Sequence, residues 1–155
     1  MKANKNIEKE IVNSFANIAT TIGYSDIHGK IIAELLVKGE PMSLKELSKK
    51  IGCSLSTISL SLDLLDVFGI IRKIKKSKDR NLYIELQGSL LKGLKTAFLV
   101  RIENSIHDTL EKFELYEKEL KKSKNKKSLK ALKILKNEIK KLERYMKLLN
   151  KISIK

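Results

Sequence analysis

Residues 43–86 read SLKELSKKIGCSLSTISLSLDLLDVFGIIRKIKKSKDRNLYIEL, and the reading of the whole chain turns on them. Two short helical patterns flank a Gly-Cys-Ser turn at 52–54. Ser43 and Glu46 have the spacing of a capping box, in which each side chain satisfies a free backbone donor of the other. The helix they start turns Leu44, Leu47 and Ile51 inward and is closed by Gly52. Ser54 is placed to cap the next helix, whose inner face is Leu55, Ile58, Leu62 and Leu65 and which Gly69 ends. Then IIRKIK at 70–75 and NLYIEL at 81–86 alternate imperfectly around KSKDR, the pattern of a β-hairpin with a charged tip.

Working outward, Ile7, Ile11, Phe15, Ile18 and Ile22 form one face of an amphipathic helix that Gly23 ends. Ser25 and Asp26 open a second helix bearing Ile27, Ile31, Ile32, Leu35 and Leu36, stopped by Gly39 and Pro41. Beyond the hairpin, Gly88 and Gly93 flank a short connector. Phe98, Ile102, Ile106, Leu110 and Phe113 then recur at helical spacing. Leu132, Leu135, Ile139, Leu142, Met146 and Leu149 step by alternate threes and fours, the a/d signature of a coiled-coil seam. KKSKNKKS at 121–128 is the turn between the two long helices.

The expected fold is mainly α with a small β-hairpin wing. Helix, Gly-containing turn, helix and hairpin, in that order, make a winged helix-turn-helix domain, assigned to 25–88. Residues 1–24 are assigned to an N-terminal helix that joins the dimerisation region, and 89–155 to a C-terminal helical dimerisation region. The reason is that the small winged domain cannot cover all the apolar stripes. Ile7, Ile11, Phe15, Phe98, Ile102, Ile106, Leu135, Ile139, Leu142 and Met146 are the candidate dimerisation residues. Whether the heptad seam pairs within the chain or across a homodimer is open at this level.

The chain has 155 residues, with 42 % hydrophobic but only 5 % aromatic content, so the core is built from Leu and Ile. The formal net charge is +15, and it is segregated. Residues 1–42 hold 5 basic and 5 acidic residues, 43–95 hold 11 and 5, and 96–155 hold 17 and 8. A basic excess of this size points to a polyanionic partner, with a Lys-rich solvated surface as the plain alternative.

The helix after the turn should then project its outer face into a DNA major groove about 12 Å wide. That helix, about 54–68, carries hydroxyls at Ser54, Ser56, Thr57 and Ser59 and no positive charge. It therefore approaches closely, donates to phosphates and, through Thr57, can touch a thymine methyl, but it has no bidentate donor for guanine. The cations are instead in the wing, 70–86: Arg72, Lys73, Lys75, Lys76, Lys78 and Arg80. Lys73, Lys76, Lys78 and Arg80 are the wing candidates for DNA, and Lys45 is a phosphate candidate on the preceding helix, with Lys49 and Lys50 beside it.

GCSLSTISLSLDLLDVFGIIRK at 52–73 resembles the MarR-type winged-helix transcriptional regulators. Ser56, Ile58, Leu62, Leu65, Gly69, Ile70, Ile71 and Arg72 carry the match, as a recognition helix running into the first wing strand. Pro41 to Leu47 resembles the family's lead-in to the first helix of the motif, and Asp79-Arg80 its wing tip, with contracted spacing. The long C-terminal helices look most like the GbsR branch, whose archaeal members are compact dimers. The resemblance implies a dimeric repressor that binds a pseudo-palindromic double-stranded operator, with Arg80 entering the minor groove. It also implies a small-molecule effector seated between the winged domain and the dimer helices, without supplying residues for one.

Little in the sequence suggests catalysis. His28, His107 and Cys53 are scattered, and no C-x-x-C, H-E-x-x-H, Walker or Rossmann pattern occurs, so no metal, cofactor or enzyme activity is expected. One cysteine fits a reducing compartment. No apolar run reaches about 20 residues, and the N-terminal stretch has no signal-peptide core, so a cytoplasmic protein with no membrane partner is expected. Two alternatives stand beside the regulator: a non-specific chromatin-type DNA-binding protein, and a winged-helix protein-interaction module.

Overall fold

A computed structural model describes residues 2–75 and 81–153. Six helices and three strands occur among them: α1 (Lys2–Thr21), α2 (Asp26–Lys38), β1 (Met42–Ser43), α3 (Leu44–Ile51), α4 (Leu55–Val67), β2 (Ile71–Lys75), β3 (Leu82–Leu86), α5 (Leu90–Lys122) and α6 (Lys126–Lys151). The chain divides into two compact units, Met1–Thr96 and Ala97–Lys155, with the division inside α5.

In the first unit, the expected punctuation sets the elements. Ser25 caps α2, its hydroxyl accepting from the Ile27 amide. Gly39 and Gly52 take left-handed conformations that end α2 and α3. Ser43 caps α3 by accepting from the Glu46 amide at 3.2 Å. The carboxylate of Glu46 points elsewhere. It accepts from Lys38 Nζ at 2.7 and 2.8 Å, tying the end of α2 to the start of α3. That hydrogen bond holds the Lys38 ammonium above its ordinary pKa.

The core is aliphatic. Ile31, Met42, Leu47, Ile58, Leu62, Ile71 and Ile84 are fully buried, drawn from α2, α3, α4 and all three strands. The sheet is antiparallel in the order β1-β3-β2. Ile71 pairs with Leu86, Lys73 with Ile84 and Lys75 with Leu82, so the hairpin keeps one register throughout the described strands. β1 is an addition to the sequence reading. Its two residues pair with Ile84 and Tyr83, and two residues are too few to show alternation.

α1 packs on α2 in this same unit, and does so through small residues. Ala16 and Ala19 are buried, and a Cβ on Gly29 would stand 2.1 Å from the Phe15 carbonyl oxygen. The helices cross where only glycine fits, so the isoleucine stripe is displaced from the contact: Ile7, Ile11 and Ile18 are exposed and Phe15 is half-buried. Gly93 lies within the first turns of α5 and not in a connector. A Cβ there would be 2.3 Å from Ile70 Cγ1.

The second unit is a helical pair. α5 ends at Lys122, Lys124 takes a positive φ of 54°, and Asn125 caps α6 by accepting from the Ser128 amide. Leu99, Ile106 and Met146 form its buried cluster, with Ile102, Leu110 and Ile139 packed around them. Lys136 reaches Glu117 at 3.3 Å and Glu114 at 3.7 Å across the pair. With Lys121, it holds the Glu117 carboxyl below its ordinary pKa. The heptad seam is split. Leu132, Ile139 and Met146 turn inward, while Leu135 and Leu142 are 54 % and 41 % exposed and Leu149 is also exposed.

Candidate nucleic-acid interface

The turn between α3 and α4 is built by Ser48. Its carbonyl accepts from the Gly52 and Cys53 amides at 2.9 and 3.2 Å, and its hydroxyl donates to the Cys53 carbonyl at 2.6 Å. Ser48 was not among the expected residues; a serine near a helix end gives no signal of a bond five residues on. Ser54 then starts α4, its Oγ accepting from the Thr57 amide at 3.2 Å. The same Oγ lies 3.0 Å from Ser56 Oγ and 2.7 Å from Thr57 Oγ1. Three of the four predicted hydroxyls thus form one cluster at the helix N-terminus, where the backbone dipole is positive. Ser54 and Ser56 are exposed, and Thr57 and Ser59 are half-buried.

The core fixes the rotation of α4. Ile58, Leu62 and Leu65 are buried, and Ser61 joins them on the inner side. Leu55, expected inside, is 44 % exposed, because the first residue of the helix lies at the rim of the turn. The outer stripe is Ser56, Leu60, Asp63 and Val67, all exposed. α4 therefore presents hydroxyls, two apolar side chains and a carboxylate, with no cation of its own.

The cations come from neighbouring elements. Lys45 and Lys49 are exposed one turn apart on α3 and have no ion-pair partner among the described residues. Lys50 is engaged with Glu34 of α2 at 2.8 Å. Arg72 pairs with Glu85 across the hairpin, directly opposite in register. Lys73, expected to meet DNA, donates to Asp63 of α4. A partly exposed pair such as this contributes only about 0–1 kcal/mol of stability. Its larger effects are to hold β2 beside the outer face of α4 and to neutralise a carboxylate that would otherwise face a polyanion. Lys75 shares the strand face of Ile71 and Lys73 and is exposed without an ion-pair partner among the described residues. It belongs with the candidates, although the run of cations in the sequence could not single it out. Lys76, Lys78 and Arg80 lie outside the described residues.

Among the described residues no three His, Cys, Asp or Glu side chains gather as a metal site. Nor is any described helix long and apolar enough to cross a membrane.

No protein-family model and no curated protein matches the chain. Solved structures do. The crystal structure of a transcriptional regulator aligns with a TM-score of 0.64 and 19 % identity, over 92 % of this chain and 95 % of that one. At that identity the likeness shows the fold alone, helices with a small antiparallel sheet in the winged helix-turn-helix order. A mutant of S. aureus MepR bound to an oligodeoxyribonucleotide aligns at TM-score 0.45 and 20 % identity, over 84 % of this chain and 96 % of that one. The regulator BldR from Sulfolobus Solfataricus aligns at 0.44 and 23 %, over 72 % and 79 %.

Proposed function

We propose that this chain is a homodimeric, sequence-specific double-stranded DNA-binding transcriptional regulator of the MarR type, resembling the GbsR branch, and that it represses by occluding a promoter. α4 enters the major groove, and the wing lies along the backbone with Arg80 at the minor groove. The observation that carries this reading is the outer face of α4: a serine-capped N-terminus on a helix that packs against α3, which exposes Lys45 and Lys49, and against β2, which presents Lys75. Small hydroxyls permit close approach, and the cations of these neighbours supply the phosphate attraction that dominates affinity. A two-fold pair would set two such helices about 34–36 Å apart, one turn of the duplex.

The lack of any Lys or Arg on α4 also suits a non-specific DNA-coating protein, which needs phosphate contacts and no base readout. Selection of binding sites from random duplex DNA at about 150 mM salt separates the two. Recovery of an inverted repeat with half-sites one helical turn apart is expected. Tight, salt-sensitive binding with no recovered motif would replace the regulator with the coating protein. No duplex binding even at about 50 mM salt would favour a protein-interaction module. On the recovered site, Arg80→Ala should weaken binding and leave the dimer intact; unchanged affinity would remove the wing tip from the interface.

A further inference from the structure

We infer that Leu60 is a base-reading residue, and that its isobutyl group meets the 5-methyl group of a thymine on the floor of the major groove. This rests on the DNA-binding reading above and names the chemistry by which α4 discriminates.

Four of the polar groups on the outer side of α4, at Ser54, Ser56, Thr57 and Asp63, are already engaged within the chain. The Ser54, Ser56 and Thr57 hydroxyls are bonded to one another, and Ser54 caps the helix. Asp63 accepts from Lys73. The helix contains no Arg, Lys, Asn or Gln, so the bidentate pairings that recognise guanine and adenine are unavailable to it. Leu60 is 72 % exposed at the middle of the outer stripe, one turn beyond Ser56. Its neighbours on that side, Ser56 and Ser59, are small and leave it proud of the surface.

A single exposed leucine on a surface needs no explanation. Position distinguishes this one. Ile58, Leu62 and Leu65 pin the opposite face of α4 into the core, so Leu60 cannot turn inward without dismantling it. It lies five residues into the helix, about 7.5 Å along the axis, within the N-terminal part that meets base edges. Val67 is equally apolar and 80 % exposed. It lies twelve residues in, about 18 Å along the axis, farther than a groove about 12 Å wide reaches. Of the four bases only thymine offers an apolar group in the major groove. The Lys73–Asp63 pair neutralises the carboxylate next to Leu60, so it does not repel a duplex.

The test begins with the duplex selected by the intact chain. Each thymine of a half-site is replaced in turn by deoxyuridine, which keeps pairing and removes only the methyl. At one or two positions per half-site, affinity should fall about four- to tenfold. Leu60→Ala should show a similar loss on the thymine duplex and no further loss on the deoxyuridine duplex, while its urea midpoint stays at the parental value. A half-site without thymine, indifference to every such replacement, or losses that simply multiply would each overturn the inference while leaving DNA binding in place. Failure to bind any duplex would instead overturn the DNA-binding reading, and this inference with it.

Discussion

Between β1 and β3, one set of large aliphatic side chains closes the centre of the winged unit: Leu47, Ile58, Leu62, Ile71 and Ile84 show no exposed surface, while Leu55, Leu60 and Val67 of α4 face outward. The helical pair has a comparable supply of such side chains and hides far fewer. Leu99, Ile106, Leu132 and Met146 are buried, whereas Leu135, Leu142, Leu148 and Leu149 face outward. Geometry accounts for the difference. The winged unit wraps α2, α3, α4 and a sheet around one centre, so the inner face of each of these helices finds a neighbour. A helix in a two-helix pair has one neighbour only, and here α6 turns Leu132, Ile139 and Met146 toward it and leaves Leu135, Leu142 and Leu149, the other half of the seam, outside the contact. Taken by itself, the second unit leaves more of its apolar surface open, and the first leaves Ile7, Ile11 and Ile18 of α1 exposed.

The largest expected effect tests that asymmetry. Leu135→Glu combined with Leu142→Glu should convert the proposed homodimer to monomers in sedimentation, with helical content retained. Each carboxylate forced into a dry seam costs at least about 1–3 kcal/mol. Four of them in a two-fold pair raise the dissociation constant by about three decades or more. A double variant that sediments like the parent would break the comparison, because the outward stripe would then be plain solvated surface.

Next in size is a pair of truncations in chemically identical residues. Leu62→Ala should lower unfolding stability by about 2–5 kcal/mol in a urea titration, since it empties a site in a closed core. Leu142→Ala should leave the unfolding of a diluted, dissociated protomer within about 1 kcal/mol of the parent and weaken self-association instead. Equal losses in the protomer would mean that the two units are equally closed.

What could be read from the sequence follows the same division. Caps and stops are plain, because the hydroxyls of Ser25, Ser43 and Ser54 accept from amides two or three residues on and Gly39 and Gly52 act through their own backbone, so none needs a distant partner. The buried face of α4 was plain except at Leu55, where the helix end overrides periodicity. The order of helix, turn, helix and hairpin gave the winged fold. What the sequence does not disclose depends on partners far along the chain. The α1–α2 crossing is set by Gly29 against a backbone carbonyl, and no hydrophobic pattern reports that. Lys73 looked like one cation in a run of six; its pairing with Asp63 requires β2 to lie against α4. The heptad seam was visible, but which half of it is taken up inside the protomer was not.

The smallest effect is a pH dependence confined to the winged unit. His28 is half-buried on α2, its ring edge-on to Tyr24, which is in turn edge-on to Phe68 at 5.6 Å. Burial lowers its pKa below the ordinary value; the bond from Nδ1–H to the Ser25 carbonyl at 3.1 Å and the charge of Asp26 oppose the shift without cancelling it. The folded state therefore favours the neutral ring, while the unfolded chain takes up a proton near about pH 6.5. Below that pH the unfolded state binds more protons than the folded one, so stability falls with falling pH until the folded-state pKa is passed. His28 thus contributes stability that is present above about pH 6.5 and is lost as the solution is acidified. Urea midpoints between about pH 7 and pH 5 should decline in the parent, and the decline should be shallower in His28→Gln. The half-exposed ring keeps the difference well below that of Leu62→Ala. An unchanged slope in His28→Gln would mean that the ring is as well solvated folded as unfolded, and that the winged unit is less closed at the Tyr24–Phe68 edge than at its centre.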